Sequence, residues 1–216
     1  MNRHELASII DHTLLTPEAT RQQVDELVAQ GLALGVRAVC VAPSFYPLNT
    51  YGLIPVTVVG FPSGAHQAEI KAQEAARAVN DGVREIDMVM NLGLAKQADW
   101  TGVQAEIETV RKAVPAPCVL RVIIESAALN APQIVAACWA AEDAGADAIK
   151  TSTGFHPAGG ATPQAVSLIA KTVHGRLAVK AAGGISTAEQ AIALVEAGAN
   201  VIGTSHAAEI LAAVEE

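Results

Sequence analysis

Two lysines stand where apolar strands should end. In "GADAIKTSTGF", residues 145–155, a glycine closes a helical stretch, a buried run follows, and Lys150 ends it. "LAVKAAGGIS", from Leu177, repeats the arrangement with Lys180. On neighbouring strands, roughly 4.8 Å apart, the two ammonium groups can approach closely. Each then disfavours charge on the other, and burial adds to that effect. A lysine made neutral this way attacks carbonyl carbon, and its product is a Schiff base. The plainer alternative is a pair of lysines snorkelling to the rim or pairing with carboxylates. Two lysines on successive strands, each beside a glycine-rich turn, favour the chemical reading.

Asp87, in "REIDMVMN", lies inside another apolar strand. Carboxylates are rarely fully buried unless paired. Asp87 is therefore either a proton-shuttling group that works with the lysines or half of a structural ion pair with an arginine such as Arg121. The lysine pair tips the reading to function. "VKAAGGIS" and "VIGTSHA" add glycines whose backbone N–H groups can turn toward an anion. "STGFHPAGGAT" supplies a further glycine-rich loop beside Lys150.

Other chemistries find less support. The six histidines show no HxH or HExxH spacing, and the three cysteines, Cys40, Cys118 and Cys138, form no CxxC. Metal binding and structural disulfides are not expected. Cys40, in "AVCVAPS", reads as a small residue near the pocket. His12, in "DHTLLTPE", reads as a hydrogen-bonded strand-end histidine without a catalytic role. The net charge is −8, from 14 basic against 22 acidic residues, and no basic run stands out. Nucleic acid and anionic membranes are not expected partners. With no long apolar stretch, the expected setting is soluble and cytoplasmic.

The elements that must position these residues follow from one recurring pattern. An Ala-rich amphipathic stretch, a glycine and a short β-branched run appear in "LVAQGLALGVRAVCV", "AARAVNDGVREIDMVM", "AAEDAGADAIKTS" and "ALVEAGANVIGTS". Glycine suits a left-handed helix C-terminus, and the following run suits a strand covered on both faces. Hydrophobic residues make up 51% of the chain and aromatics 3%, a core of small aliphatics that suits parallel α/β architecture. Strands are predicted at 9–11, 36–41, 56–60, 85–90, 119–124, 148–150, 178–180 and 201–203. Helices are predicted at 16–31, 68–81, 104–113, 132–144, 163–173 and 187–197. Thr16-Pro17 and Thr162-Pro163 read as caps followed by proline in the first turn.

Eight such units make a (β/α)8 TIM barrel, one domain over 1–216, with a doubly wound open sheet as the alternative. In a barrel, active-site groups sit at the C-terminal strand ends. Those ends carry Asp11, Cys40, Asp87, Asn91, Glu125, Lys150, Lys180 and Ser205. The loops after strands seven and eight are the usual phosphate cradle of that fold.

"DHTLLTPEAT", "AVCVAPSF", "VVGFPSGA", "EIDMVMNLG", "RVIIESA", "DAIKTSTGF", "VKAAGGI" and "GTS" follow the order found in deoxyribose-phosphate aldolases, and the chain resembles that family from Ile10 to Ser205. The resemblance implies a class I aldolase that needs no metal or other cofactor. It would reversibly cleave 2-deoxy-D-ribose 5-phosphate to D-glyceraldehyde 3-phosphate and acetaldehyde. It implies Lys150 as the Schiff-base nucleophile, Lys180 as the lysine that keeps it neutral, and Asp87 as the proton relay. Asp11, Thr13, Cys40 and Arg121 fall to the substrate pocket. Gly154, Gly183, Gly184, Gly203 and Ser205 fall to phosphate binding. Arg121, Ser186, His206 and a longer loop after Gly154 depart from the common pattern. The resulting expectation is weaker dependence on the phosphate. Barrels of this kind often pair, so a homodimer is the expected assembly. Another lysine-dependent aldolase or transaldolase, and a phosphosugar-binding barrel without catalysis, are the competing readings.

Overall fold

A computed structural model describes residues 1–215. Eight parallel strands close in chain order into a barrel: β1 (Ile10–Leu14), β2 (Ala38–Val41), β3 (Ile54–Val59), β4 (Glu85–Val89), β5 (Val119–Ile123), β6 (Ala148–Lys150), β7 (Ala178–Ala182) and β8 (Val201–Thr204). This is the (β/α)8 architecture, and the pairing of β8 with β1 rules out the open sheet. The strands lie where the buried runs predict them, although β1 extends through His12 and Thr13 to Leu14.

Nine helices are assigned among the described residues: α1 (Arg3–Ala7), α2 (Arg21–Leu34), α3 (Ala68–Asn80), α4 (Leu92–Lys96), α5 (Trp100–Ala113), α6 (Ala131–Asp143), α7 (Pro163–Val173), α8 (Ala188–Glu196) and α9 (Ala207–Ala212). The start of α2 corrects the sequence reading. Thr16 and Pro17 sit in a turn, where Ala19 N–H donates to the Thr16 carbonyl at 3.0 Å. The helix begins at Arg21 because Thr20 and Gln23 form a reciprocal capping box, which satisfies two otherwise orphaned donors. Its end is also later than predicted. Gly35, at φ 71°, is the left-handed cap. Gly31 lies inside the helix, where a Cβ would come within 3.1–3.3 Å of Leu53, Val36 and Val39. Helix α5 starts at Trp100, four residues ahead of the reading, under the Asp99 cap. Short α1, α4 and α9 offer too few turns for periodicity to reveal them.

Strand alternation divides the packing in two. Outward residues such as Ile10, Val39, Ile86, Leu120, Ile149 and Ile202 join the core between barrel and helices. On the inner face, Ala38, Cys40, Val56 and Val58 form a separate apolar cluster on β2 and β3. The remaining inner face carries charge, and there the site lies.

Candidate active site

Parallel register brings the predicted residues together. Lys150 pairs with Lys180 across β6 and β7, and Asp87 pairs with Arg121 across β4 and β5. All four side chains point into the barrel. Asp87 Oδ2 accepts from Lys150 Nζ at 2.8 Å and from Lys180 Nζ at 2.7 Å. One carboxylate oxygen thus touches both ammonium groups.

The ion pairing continues past this trio. Lys180 Nζ lies 2.6 Å from Asp11 Oδ2, and Asp11 Oδ1 accepts from Arg37 Nη1 at 2.6 Å. Arg37 Nη2 donates to Glu85, and Glu85 accepts from Arg121 Nη2. Arg121 Nη1 returns to Asp87 Oδ1 at 3.0 Å. The six residues Arg37, Asp11, Lys180, Asp87, Arg121 and Glu85 form a closed ring of alternating sign. Ring charges cancel, three against three. Lys150 hangs on Asp87 as a cation outside the ring.

Burial makes this arrangement consequential. Asp11 and Asp87 are fully buried, and Lys180, Lys150 and Arg121 are nearly so. Burial alone would raise the carboxyl of Asp87, but Lys150, Lys180 and Arg121 outweigh it and hold the group well below the usual carboxylate range. Asp11 is lowered in the same way: Lys180, Arg121 and Arg37 outweigh burial. Burial would lower Lys180, but Asp11 and Asp87 reverse the balance and raise it. Lys180 is therefore the firmly charged lysine, with two carboxylates where Lys150 has one.

Two threonines tie the segment after Lys150 to its neighbours. Thr151 Oγ1 bridges to β7, donating to the Ala182 carbonyl and accepting from Ala182 N–H, both at 3.1 Å. Thr153 donates to Glu125 through Oγ1 at 2.5 Å and through its N–H at 3.2 Å. Glu125 sits at φ 51°, in the left-handed region, which aims its carboxylate back at this loop. Such strain on a non-glycine residue persists where its surroundings fix it.

Above Lys150 opens a cavity of about 420 Å³. Thr13 and Lys150 form its inner part, and Gly154, Gly183, Gly184 and Ser205 line its mouth with Ser186 and His206. Gly203 also reaches the wall. A Cβ there would come 3.1 Å from Lys180 Cε, so this glycine also leaves room for the lysine stem. Phe155 closes one side, its ring edge-to-face with Phe61 at 5.2 Å.

Asp11, Cys40 and Arg121 do not line this cavity. They are buried in the barrel interior, Asp11 and Arg121 as ring members and Cys40 in the apolar half. Burial pushes the Cys40 thiol up to about 11, so it is protonated at neutral pH. Two further strand-end residues serve the scaffold. Asn91 caps α4, and its N–H donates to Glu106 at 2.8 Å. His12 faces outward, its Nε2 2.7 Å from Gln30 Oε1.

Arg37, Glu85, Thr151, Thr153 and Gly160 escaped sequence reasoning. Gly160 has the most demanding surroundings. It presses on the backbone of Gly183, where a Cβ would lie 2.0 Å from the carbonyl oxygen. Ala161 N–H donates to that same oxygen at 3.1 Å. The loop after β6 is thereby docked on the loop after β7, and both line the cavity. Gly160→Ala is expected to cost about 1–3 kcal/mol as the two loops are forced apart. Chemical denaturation, with turnover measured alongside, checks this; unchanged stability would contradict it.

Comparison with known proteins bears on what this cavity does. Residues 6–210 match the family described as DeoC/LacD family aldolase. The deoxyribose-phosphate aldolase of Kocuria rhizophila is 57% identical, covering 98% of this chain and 97% of its own. That of Corynebacterium diphtheriae is 55% identical, over 97% and 96%. Among solved structures, the aldolase QR15 superposes with TM-score 0.90 at 37% identity, covering 96% of this chain and 94% of its own. The tetrameric deoxyribose phosphate aldolase of Aeropyrum pernix does so with TM-score 0.89 at 33%, over 97% and 91%. A closed barrel, a lysine pair on one carboxylate and this likeness lead to one conclusion: the chain belongs to the DeoC/LacD family of aldolases.

Proposed function

We propose that the chain reversibly cleaves 2-deoxy-D-ribose 5-phosphate to D-glyceraldehyde 3-phosphate and acetaldehyde through a Schiff base on Lys150. The observation that carries this reading is the charge arrangement. Six charges, five of them buried and Arg37 partly exposed, balance in a closed ring, and Lys150, at the cavity floor, is the seventh. Losing a proton from Lys150 leaves the six ring charges balanced among themselves. Losing one from Lys180 would strip Asp11 and Asp87 of their shared counter-ion. The free amine that carbonyl attack requires is therefore assigned to Lys150.

The steps follow from that assignment. Lys150 Nζ adds to the C1 aldehyde of the open-chain sugar, and the carbinolamine loses water to give a protonated imine. The C3 hydroxyl gives up its proton and the C2–C3 bond breaks. Its electron pair moves toward the iminium nitrogen, leaving an enamine and the three-carbon phosphate. Protonation of the enamine at its terminal carbon and hydrolysis of the imine release acetaldehyde and restore the lysine. Asp87, in contact with both lysines, is the group we assign to proton relay with Lys180 and a water molecule. The backbone of Gly154, Gly183, Gly184 and Ser205 at the mouth is assigned to the phosphate. Asp11 and Arg121 act from below, through the charges of Asp87 and Lys180.

The working unit we propose is one barrel domain, 1–216, paired as a homodimer, the commonest closed oligomer. Three free, buried cysteines suit a reducing cytoplasm.

Purified protein assayed for glyceraldehyde 3-phosphate release tests the activity. Turnover of the 5-phosphate is expected, with slower turnover of unphosphorylated deoxyribose. Turnover of neither sugar would overturn the function. Turnover of the phosphate ester alone would overturn the weaker phosphate dependence. Cleavage that releases a carbonyl fragment other than acetaldehyde would favour a different lysine aldolase.

A further inference from the structure

We infer that Arg37 and Glu85, two residues below the cavity and outside the reacting groups, set the protonation of Lys150 through the closed charge ring. The inference rests on the Schiff-base reading of Lys150. Arg37 lies just before β2, and Glu85 is the first residue of β4. Arg37 joins Asp11 to Glu85, and Glu85 joins Arg37 to Arg121. Without Arg37, Asp11 keeps Lys180 as its near cation and Glu85 keeps Arg121. Without Glu85, both arginines lose an anion. The ring is then one charge out of balance in either case, with opposite sign.

That imbalance is felt at Lys150 because the intervening groups are buried. Charges held in a medium of low effective dielectric act over longer distances than exposed ones and are screened little by salt. The ionisable groups around Lys150 are Asp87 and Glu85 on β4, Arg121 on β5, Lys180 on β7, Asp11 on β1, Cys40 on β2 and Arg37 before it. Glu125 and His206 stand nearer the mouth. Arg37→Gln leaves one negative charge in excess. A proton on Lys150 is then favoured, so a higher pH is needed to free the amine. Glu85→Gln leaves one positive charge in excess, and the amine is freed at lower pH. Arg37 and Glu85 are thus positioning residues whose effect is electrostatic and signed.

The test is the pH dependence of borohydride trapping by acetaldehyde at Lys150, read by mass spectrometry together with kcat/KM. Parent, Arg37→Gln, Arg37→Lys and Glu85→Gln are compared at two salt concentrations, after thermal unfolding confirms that each is folded. Relative to the parent, the acid limb should move up by about half a pH unit or more in Arg37→Gln and down by a similar amount in Glu85→Gln. It should return to the parent position in Arg37→Lys, with little change between the two salts. A merely structural role would lower activity in both glutamine variants without moving the limbs in opposite directions, and that result would overturn the inference. If Glu85→Gln does not fold, the Arg37 pair decides: an unshifted limb in Arg37→Gln overturns the inference. Absence of label on Lys150 in the parent would defeat the Schiff-base reading itself, a result distinguishable from unshifted limbs in a labelled protein.

Discussion

Lys150→Met is expected to lower kcat for cleavage by roughly four orders of magnitude or more while leaving the fold close to intact. The two halves of this expectation have the same origin. The Lys150 side chain is the nucleophile of the proposed reaction, and Lys180 cannot replace it while two carboxylates hold its proton. Yet Lys150 is also the charge that the ring does not need. Its removal leaves Arg37, Asp11, Lys180, Asp87, Arg121 and Glu85 paired as before. Methionine fills nearly the same volume without a charge to solvate. The cost of breaking a buried pair comes from the charge left unpaired, and Asp87 keeps Lys180 and Arg121, so stability should stay within about 1 kcal/mol of the parent. Steady-state kinetics and urea unfolding check the two halves. A variant that keeps more than a hundredth of the activity, or loses several kcal/mol, contradicts the assignment.

Asp87→Asn should behave in the opposite way toward the fold. Its carboxylate touches Lys150, Lys180 and Arg121, and its loss leaves buried cations short of an anion. Breaking one partner of a buried pair costs about 3–5 kcal/mol. Loss of the acid–base group should lower kcat by roughly 10²–10⁴. The pH dependence has a definite sign. Burial works to raise the Asp87 carboxyl, but the three cations prevail and place it well below the usual range. A carboxylate with a depressed folded-state pKa stabilises the fold above its unfolded value of about 3.9 and loses that contribution as pH falls through the folded value. The stability gap between parent and Asp87→Asn should therefore be full at neutral pH and narrow below about pH 4. Thermal unfolding from pH 7 down to pH 3 measures it. A gap that widens on acidification would contradict the pairing.

Four of the six ring residues, Asp11, Asp87, Arg121 and Lys180, were legible before the fold, and so was Lys150 beside them. Lys150, Lys180 and Asp87 interrupt apolar strands, and a charge in such a run calls for an explanation. Arg37 and Glu85 do not interrupt anything. They lie at the beginnings of buried runs, where a charged residue ordinarily means a solvated turn. Only closure of the barrel brings these strand starts together and makes their charges interior. Arg121 was legible as a candidate partner for Asp87, and the structure makes that pair while keeping Arg121 from the cavity wall. Gly160 was hidden for a different reason. A glycine-rich loop reads as plain turn chemistry until the opposing carbonyl of Gly183 is in place. The late start of α2 shows two local signals in competition: Pro17 after Thr16 is a strong opening, but the Thr20–Gln23 capping box satisfies more donors. Strand positions were legible throughout, because buried parallel strands are written as unbroken aliphatic runs.

The central claim is that Lys150 forms the Schiff base because it is the cation outside a balanced ring. The most direct measurement is reductive trapping. The protein is incubated with acetaldehyde, reduced with borohydride and mapped by mass spectrometry, beside Lys150→Met. One ethyl group on Lys150, with Lys180 unmodified and no comparable label in the variant, is the expected result. Label on Lys180 instead, or spread over surface lysines with Lys150 untouched, would contradict it.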